Sequence, residues 1–175
     1  MVQYKVASQI RLAEQSGYLS SLNRKRMEKW LILLNLTTTA YLTGLIWFVQ
    51  WVHYASFHLV DRSAFVLFHQ HHTKRTGQVV ALPMVVELLV SLALVWSSWS
   101  RTHFWMPCLG LVAVLLIWLV TFGYFVPLHG KLPTQSNAKQ FYFLVKWNWV
   151  RTVSWTIRLL LLLVYGSLSL TLTPL

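Results

Sequence analysis

Acidic residues are almost missing from this 175-residue chain: four Asp and Glu stand against fifteen Lys and Arg, for a net charge of +11. Charged residues of both signs make up only 11% of the sequence, less than half the share found in soluble domains. So few charges cannot cover the surface of a water-exposed domain of this size. Cysteine is represented once, by Cys108. Neither an internal disulfide nor a Cys-built zinc or iron–sulfur site can form, and Cys108 reads as a small apolar helix residue. The chain also lacks an internal repeat and a low-complexity tract. Gly44, Gly110 and Gly123 are scattered and form no Gly-xxx-Gly seam for lateral helix association.

What is plentiful is apolar. Hydrophobic residues make up 56% of the chain, with ten Trp, nine Phe and seven Tyr. Ordinary surface positions do not absorb so many aromatics, whereas belts at two membrane–water interfaces do. Four apolar runs, at about 30–60, 79–99, 105–126 and 143–170, each approach or exceed the ~20 residues needed to cross a bilayer. The expected fold is all-α: an integral membrane four-helix bundle behind a short polar arm, 1–29. The basic residues lie beside the ends of these runs, where topology and anionic lipid headgroups account for them. No nucleic-acid motif accompanies them, and membrane lipids are the expected partners.

The arm has no apolar core of the kind a cleaved signal carries, so the first run is expected to act as an uncleaved anchor. Ile10, Leu12, Ala13 and Tyr18 allow a weak amphipathic helix on the membrane surface; a solvated arm is equally compatible. At 1.5 Å per residue the first run makes a helix of roughly 45 Å, longer than the ~30 Å hydrocarbon core, and its excess is expected beyond the membrane at its C-terminal end. The stretch after it, 62–78, is expected to continue the first helix or open the second. Pro83 should kink the second helix unless a neighbour satisfies the carbonyl it frees. Pro107 suits a first turn, and Pro127 with Gly130 is expected to end the third span.

Orientation rests on Lys and Arg. Lys5, Arg11, Arg24, Lys25, Arg26 and Lys29 precede the first span, and Arg101 joins them between the second and third. The other side carries Arg62, Lys74, Arg75, Lys131, Lys139 and Lys146. The totals are close, but the tight cluster just before the first span places both termini in the cytoplasm of a cell membrane.

This topology gathers polar chemistry at one end. His53, His58, His69, His71, His72 and His129 fall on one side, and only His103 on the other. Gln50, His53, Tyr54, His58 and Asp61 step by three and four along the first helix and share a face, which in a membrane should meet protein or a water-filled cavity. Phe57 lies on that face too. His69 and His72 are one helical turn apart and could hold a metal or a haem, with His58 as a further ligand; a polar interfacial loop explains the same residues. Asp61 reads as solvated. Glu87 is the one acid inside an apolar span and calls for a partner, Arg151 or Arg158, seven residues apart on one face of the fourth helix. Trp147 and Trp155 flank Arg151 at i−4 and i+4, where a guanidinium can stack on indole.

The segment Phe125-Val126-Pro127-Leu128-His129-Gly130-Lys131-Leu132, followed by Trp147-Asn148-Trp149-Val150-Arg151-Thr152, resembles the anthrone-oxygenase-like family of small four-helix membrane proteins. His69-x-x-His72-Thr73 with Arg75, leading into Pro83, Met84 and Glu87, is similar to bacterial relatives of that group. The resemblance covers about residues 40–165. It implies oxygenation of polyketide anthrones to quinones without a tightly bound cofactor, with Pro127, His129, Asn148 and Arg151 at the matching positions. His129 replaces a common Asn, and the extra histidines depart from the pattern.

The expected function is therefore a multi-pass oxidoreductase or oxygenase acting on a lipophilic aromatic or quinone-like molecule at the bundle mouth. His129 and His53 would move protons, and Asn148 with Arg151 would stabilise an oxyanion. Tyr54, Trp147, Trp155 and Glu87 would line the substrate pocket. The alternatives are a redox subunit holding a haem or metal through two histidines of different helices, His53 or His58 with His69 or His72, and a non-enzymatic subunit of a larger membrane complex or homo-oligomer. Four helices without a repeat argue against a transporter.

Overall fold

The computed structural model describes residues 2–128, 130 and 138–171. Four long helices account for almost all of them: α1, Val2–Phe48; α2, Arg62–Ser98; α3, Trp105–Val120; and α4, Ala138–Thr171. Among the described residues there is no strand. All four helices, the third with its continuation to Leu128, are long and apolar enough to cross a membrane. In hydrocarbon each backbone polar group needs a partner within its own segment, and these helices supply it. The protein is a helical membrane bundle.

The helices pack in ring order, α1 beside α2 and α4, and α3 beside α2 and α4. Both termini therefore lie at one end of the bundle. The outward faces carry exposed Leu82, Leu89, Leu119 and Leu160, as a lipid-facing surface requires. Exposed Trp30, Trp96, Trp99 and Trp105 surround the end that holds the termini, and Trp47, Trp51, Trp147 and Trp149 gather at the other. Trp30 and Trp51 lie about 31 Å apart along an ideal helix, the thickness of a hydrocarbon core.

The arm is not a separate element. It is helical from Val2 and runs unbroken into the first span. Among the described side chains of α1, the first to be buried is Glu28. Beyond Phe48 the helix widens into a π turn, Val49–His53, closed by the Tyr54 N–H on the Val49 carbonyl. One α turn, Tyr54–Ser56, and a 3₁₀ turn, Phe57–Leu59, complete it. Val60 is extended, and Asp61, which is exposed, precedes α2. The second helix thus starts at Arg62, well before the apolar run at 79, and the histidine segment lies within its first third.

Pro83 sits inside α2 and leaves the Val79 carbonyl without its helical donor. The Tyr41 hydroxyl of α1 donates to that oxygen at 3.3 Å. The third span does not stop at Val126. After a π turn, Thr121–Phe125, Pro127 and Leu128 remain helical. A proline needs no N–H to continue a helix whose preceding turn is already widened.

One polar network crosses the bundle centre. The Arg158 Nε–H donates to Glu87 Oε1 at 3.0 Å and to Thr39 Oγ1 at 3.2 Å. Its Nη1 donates to the Gly110 carbonyl at 2.6 Å, and its Nη2 to Ser91 Oγ at 2.7 Å and to Asn35 Oδ1. The Thr39 hydroxyl and the Trp155 indole N–H close the Glu87 carboxylate at 2.8 and 3.1 Å. Glu87 and Arg158 are 0% and 1% exposed. All four helices thus meet on one guanidinium. Gly110 permits this approach, because a Cβ there would stand 3.0 Å from Nη1.

Candidate functional site

Between this network and the end bearing the histidines lies a cavity of about 590 Å³. That volume accommodates a drug-sized molecule. Leu42, Ile46 and Val49 of the first helix form one wall, with Tyr54 past the π turn. His69, His72, Thr76 and Val80 of α2 form the second. Thr121 and Phe125 from the widened turn of the third helix face Arg151 and Trp155 of α4. Gln70, Thr73, Lys74 and Gly77 on one side, and Val126 and Gly130 on the other, are exposed at the rim between the second and third helices.

Both π turns border this space. A π turn inserts an extra residue and rotates the residues after it. In the first helix it sends Gln50 and Tyr54 into the bundle together, while His53 stays half-buried at its edge. The five-residue stripe expected along one helix stops short of Asp61: Gln50 and Tyr54 are buried, but the helix ends at Leu59, Val60 is extended and Asp61 is in the open.

Arg151 is the buried charged group of the cavity; Lys74 stands exposed at its rim. Arg151 is 8% exposed, and its guanidinium lies 4.8 Å from the Phe125 ring centre and 5.3 Å from that of Trp155. Its one side-chain hydrogen bond is a long 3.5 Å contact from Nη1 to Asn148 Oδ1. Its Nε has no partner, and no carboxylate among the described residues reaches it. Asn148 lies behind Arg151 rather than in the cavity wall. Its Nδ2 donates to Gln50 Oε1 at 2.8 Å, and the Gln50 amide donates to the Val145 carbonyl at 3.4 Å. Asn148 is thus buried beside Arg151 and is not among the residues that line the cavity.

The histidines meet as the spacing of 69 and 72 foretells, with an addition it does not contain. His69 and His72 both line the cavity. The His53 ring stacks on His72, centres 3.7 Å apart and planes 24° from parallel. The Thr76 hydroxyl is 3.0 Å from His72 Nδ1, and His53 Nε2 is buried without a hydrogen-bond partner. Two imidazoles stacked face to face are not aimed end-on at an iron between them, as paired axial ligands of a haem are. Among the described residues no group of three or more His, Cys, Asp or Glu is arranged to hold a metal ion. His129 lies outside the described residues, and of His58 only the backbone is described.

Two expected pocket residues lie elsewhere. Glu87 is sealed in the central network and pairs with Arg158, not Arg151; the Trp155 indole separates it from the cavity. Trp147 is exposed and packs on Tyr124 with ring centres 5.4 Å apart. The widened turn of the third helix brings Phe125 inward instead, and it takes the position over Arg151 that i−4 spacing assigns to Trp147. Phe125 and the aliphatic wall escape sequence reasoning because nothing distinguishes them from other apolar helix residues, and Thr76 because it is one polar residue of a polar stretch.

Compared with protein-family models, curated proteins and solved structures, the chain matches none.

Proposed function

We propose that this protein is a membrane oxidoreductase of the oxygenase type, which takes a lipophilic aromatic molecule of the quinol or anthrone class from the bilayer and oxidises it in the cavity beside Arg151. The observation that carries this reading is a buried guanidinium with no carboxylate partner among the described residues, facing a largely apolar cavity to which Tyr54, His69, His72 and Thr76 add neutral polar groups. A buried charge without a partner is costly, so such a group is retained where a ligand supplies the complement. A phenolate or enolate oxygen on a flat ring system matches both the cation and the Phe125 and Trp155 faces.

The chemistry derives from that placement. With the oxygen held by Arg151, the ring carbon opposite it becomes acidic, and a neutral imidazole of the His53–His72 stack accepts its proton. The carbanion is electron-rich enough to reduce dioxygen. For an anthrone, oxygen adds at that carbon, and loss of water leaves a carbonyl: CH2 and O2 become C=O and H2O; a quinol instead gives two electrons and two protons to O2, forming quinone and H2O2. Arg151 stabilises the negative oxygen throughout. The rim between the second and third helices would admit substrate laterally from the bilayer. The basic cluster Arg24, Lys25, Arg26 and Lys29 just before the first span favours cytoplasmic termini and puts the cavity at the opposite face.

The test uses full-length protein in lipid nanodiscs with an anthrone and with a quinol. Expected are quenching of tryptophan fluorescence on binding, oxygen uptake and carbonyl product. Arg151→Met should lose binding, and His72→Phe should bind but consume no oxygen. Absence of both binding and oxygen uptake for either substrate refutes the reading.

A further inference from the structure

At the opposite end of the bundle, a second cavity of about 240 Å³ is lined by Lys25, Arg26, Lys29 and Arg101, with Glu28, Ile32 and Ser169. We propose that it is a binding site for a phosphate group, carried by the headgroup of an anionic membrane lipid.

Charge is the first argument. Glu28 is the only acid among the described residues of the cavity, and it is already committed. Arg101 donates to Glu28 Oε2 through Nη2 at 2.7 Å and Nε at 3.1 Å, and the Tyr165 hydroxyl donates to Oε1 at 2.6 Å. Glu28 is buried beneath the cations, and its bonds fix the Arg101 side chain at the cavity edge. Lys25, Arg26 and Lys29 have no carboxylate within ion-pair range among the described residues. Lys25 and Lys29 stand at i and i+4 on one helix face, where like charges repel. A cavity lined by four cations and one spent carboxylate keeps three positive charges without a counter-anion. A phosphate, with several acceptor oxygens, satisfies three ammonium or guanidinium groups at once.

Depth is the second argument, and it names the source. Trp30, which is exposed, follows Lys29 directly and marks the membrane interface. The cations lie within about one turn of it on the polar side, the level of lipid phosphates. Leu33 and Leu34, also exposed, continue below Trp30 and offer an apolar track for acyl chains. A free phosphate would use the cations alone; a lipid would use both.

The experiment is native mass spectrometry of the full-length protein in mild detergent. Phosphatidylglycerol and phosphatidylcholine of identical acyl chains are titrated separately, and inorganic phosphate is tested by thermal stabilisation. Expected is selective retention of phosphatidylglycerol, weakened roughly 25-fold in Lys25→Gln/Lys29→Gln, about fivefold per charge removed. Both lysines are exposed, and their loss leaves the Glu28–Arg101–Tyr165 bonds intact. The variant Arg75→Gln/Lys146→Gln, which removes two exposed cations at the other end, should bind as the wild type does. Stabilisation by inorganic phosphate alone, lost in Lys25→Gln/Lys29→Gln, would uphold the phosphate site and assign it to a soluble source. Equal retention of phosphatidylcholine, an unchanged Lys25→Gln/Lys29→Gln variant, or equal weakening in the control variant would overturn the proposal.

Discussion

Replacing Glu87 by Gln is the sharpest test of what holds the bundle together. The carboxylate accepts from Arg158 Nε at 3.0 Å, Thr39 Oγ1 at 2.8 Å and Trp155 Nε1 at 3.1 Å. Gln keeps the shape but removes the charge and turns one acceptor into a donor. If its oxygen serves Arg158 and Thr39, its NH2 confronts the Trp155 N–H; flipped, it confronts the other two. Arg158 then remains as a buried cation with no counter-charge. Breaking a buried pair from one side costs about 3–5 kcal/mol, and orphaning a buried donor about 1–3 kcal/mol. The two overlap because they share partners, so the expected loss is about 3–5 kcal/mol. Reversible unfolding of the full-length protein in mixed micelles, followed by tryptophan fluorescence, measures it. Adding Arg158→Met should give a double variant that loses about 2–3 kcal/mol less than the sum of the singles. A Glu87→Gln protein within about 0.5 kcal/mol of the wild type, or strictly additive singles, refutes the account of Glu87 as the counter-charge of Arg158.

The two buried arginines should respond in opposite ways. Arg151→Met removes a cation without a carboxylate and forfeits two ring contacts of about 0.5–1 kcal/mol each, so the same unfolding assay should find it as stable as the wild type or more so, whereas Arg158→Met should lose more than about 3 kcal/mol. The reverse order would mean that Arg151, not Arg158, is the structural cation. Gly110→Ala sets a methyl 3.0 Å from Arg158 Nη1 and should lose about 1–3 kcal/mol, although Ala alone favours a helix by about 1 kcal/mol; a gain in stability would show that Arg158 yields freely. Tyr41→Phe should lose about 1 kcal/mol by freeing the Val79 carbonyl, and the loss should vanish in a Pro83→Ala background, where the backbone N–H at 83 supplies the donor. An equal loss in both backgrounds would point to packing of the Tyr41 ring instead.

Much of the candidate site is legible in residue types at helical spacing. His69 and His72, one turn apart, do share the cavity wall. Glu87, as the one acid in an apolar span, has to find a cation, and it does. The choice between Arg151 and Arg158 is not legible, because both stand on one face of α4 and either could serve. What decides it is the distance of each from α2 after packing, together with Gly110 on α3, whose missing side chain admits the Arg158 guanidinium. Asn35, Thr39 and Ser91 give a faint sign in advance, as polar residues lodged in apolar runs. Trp147 is misplaced by sequence reasoning because i−4 spacing says which residues are neighbours on one helix, and not that a neighbouring helix will present Phe125 first.

Four helical crossings, and the end of the bundle that carries the histidines, are dictated by the amino-acid order alone. Both depend on local quantities: the length of each apolar run against the thickness of hydrocarbon, and the need of each backbone to satisfy itself there. Which polar groups meet is settled only by packing. Two π turns shift the register of the first and third helices just where the cavity forms, and a shift of one residue turns a side chain by about 100°. No local pattern carries that rotation. It is set by four helices packing at once, and it leaves Arg158 enclosed by partners and Arg151 facing an open cavity.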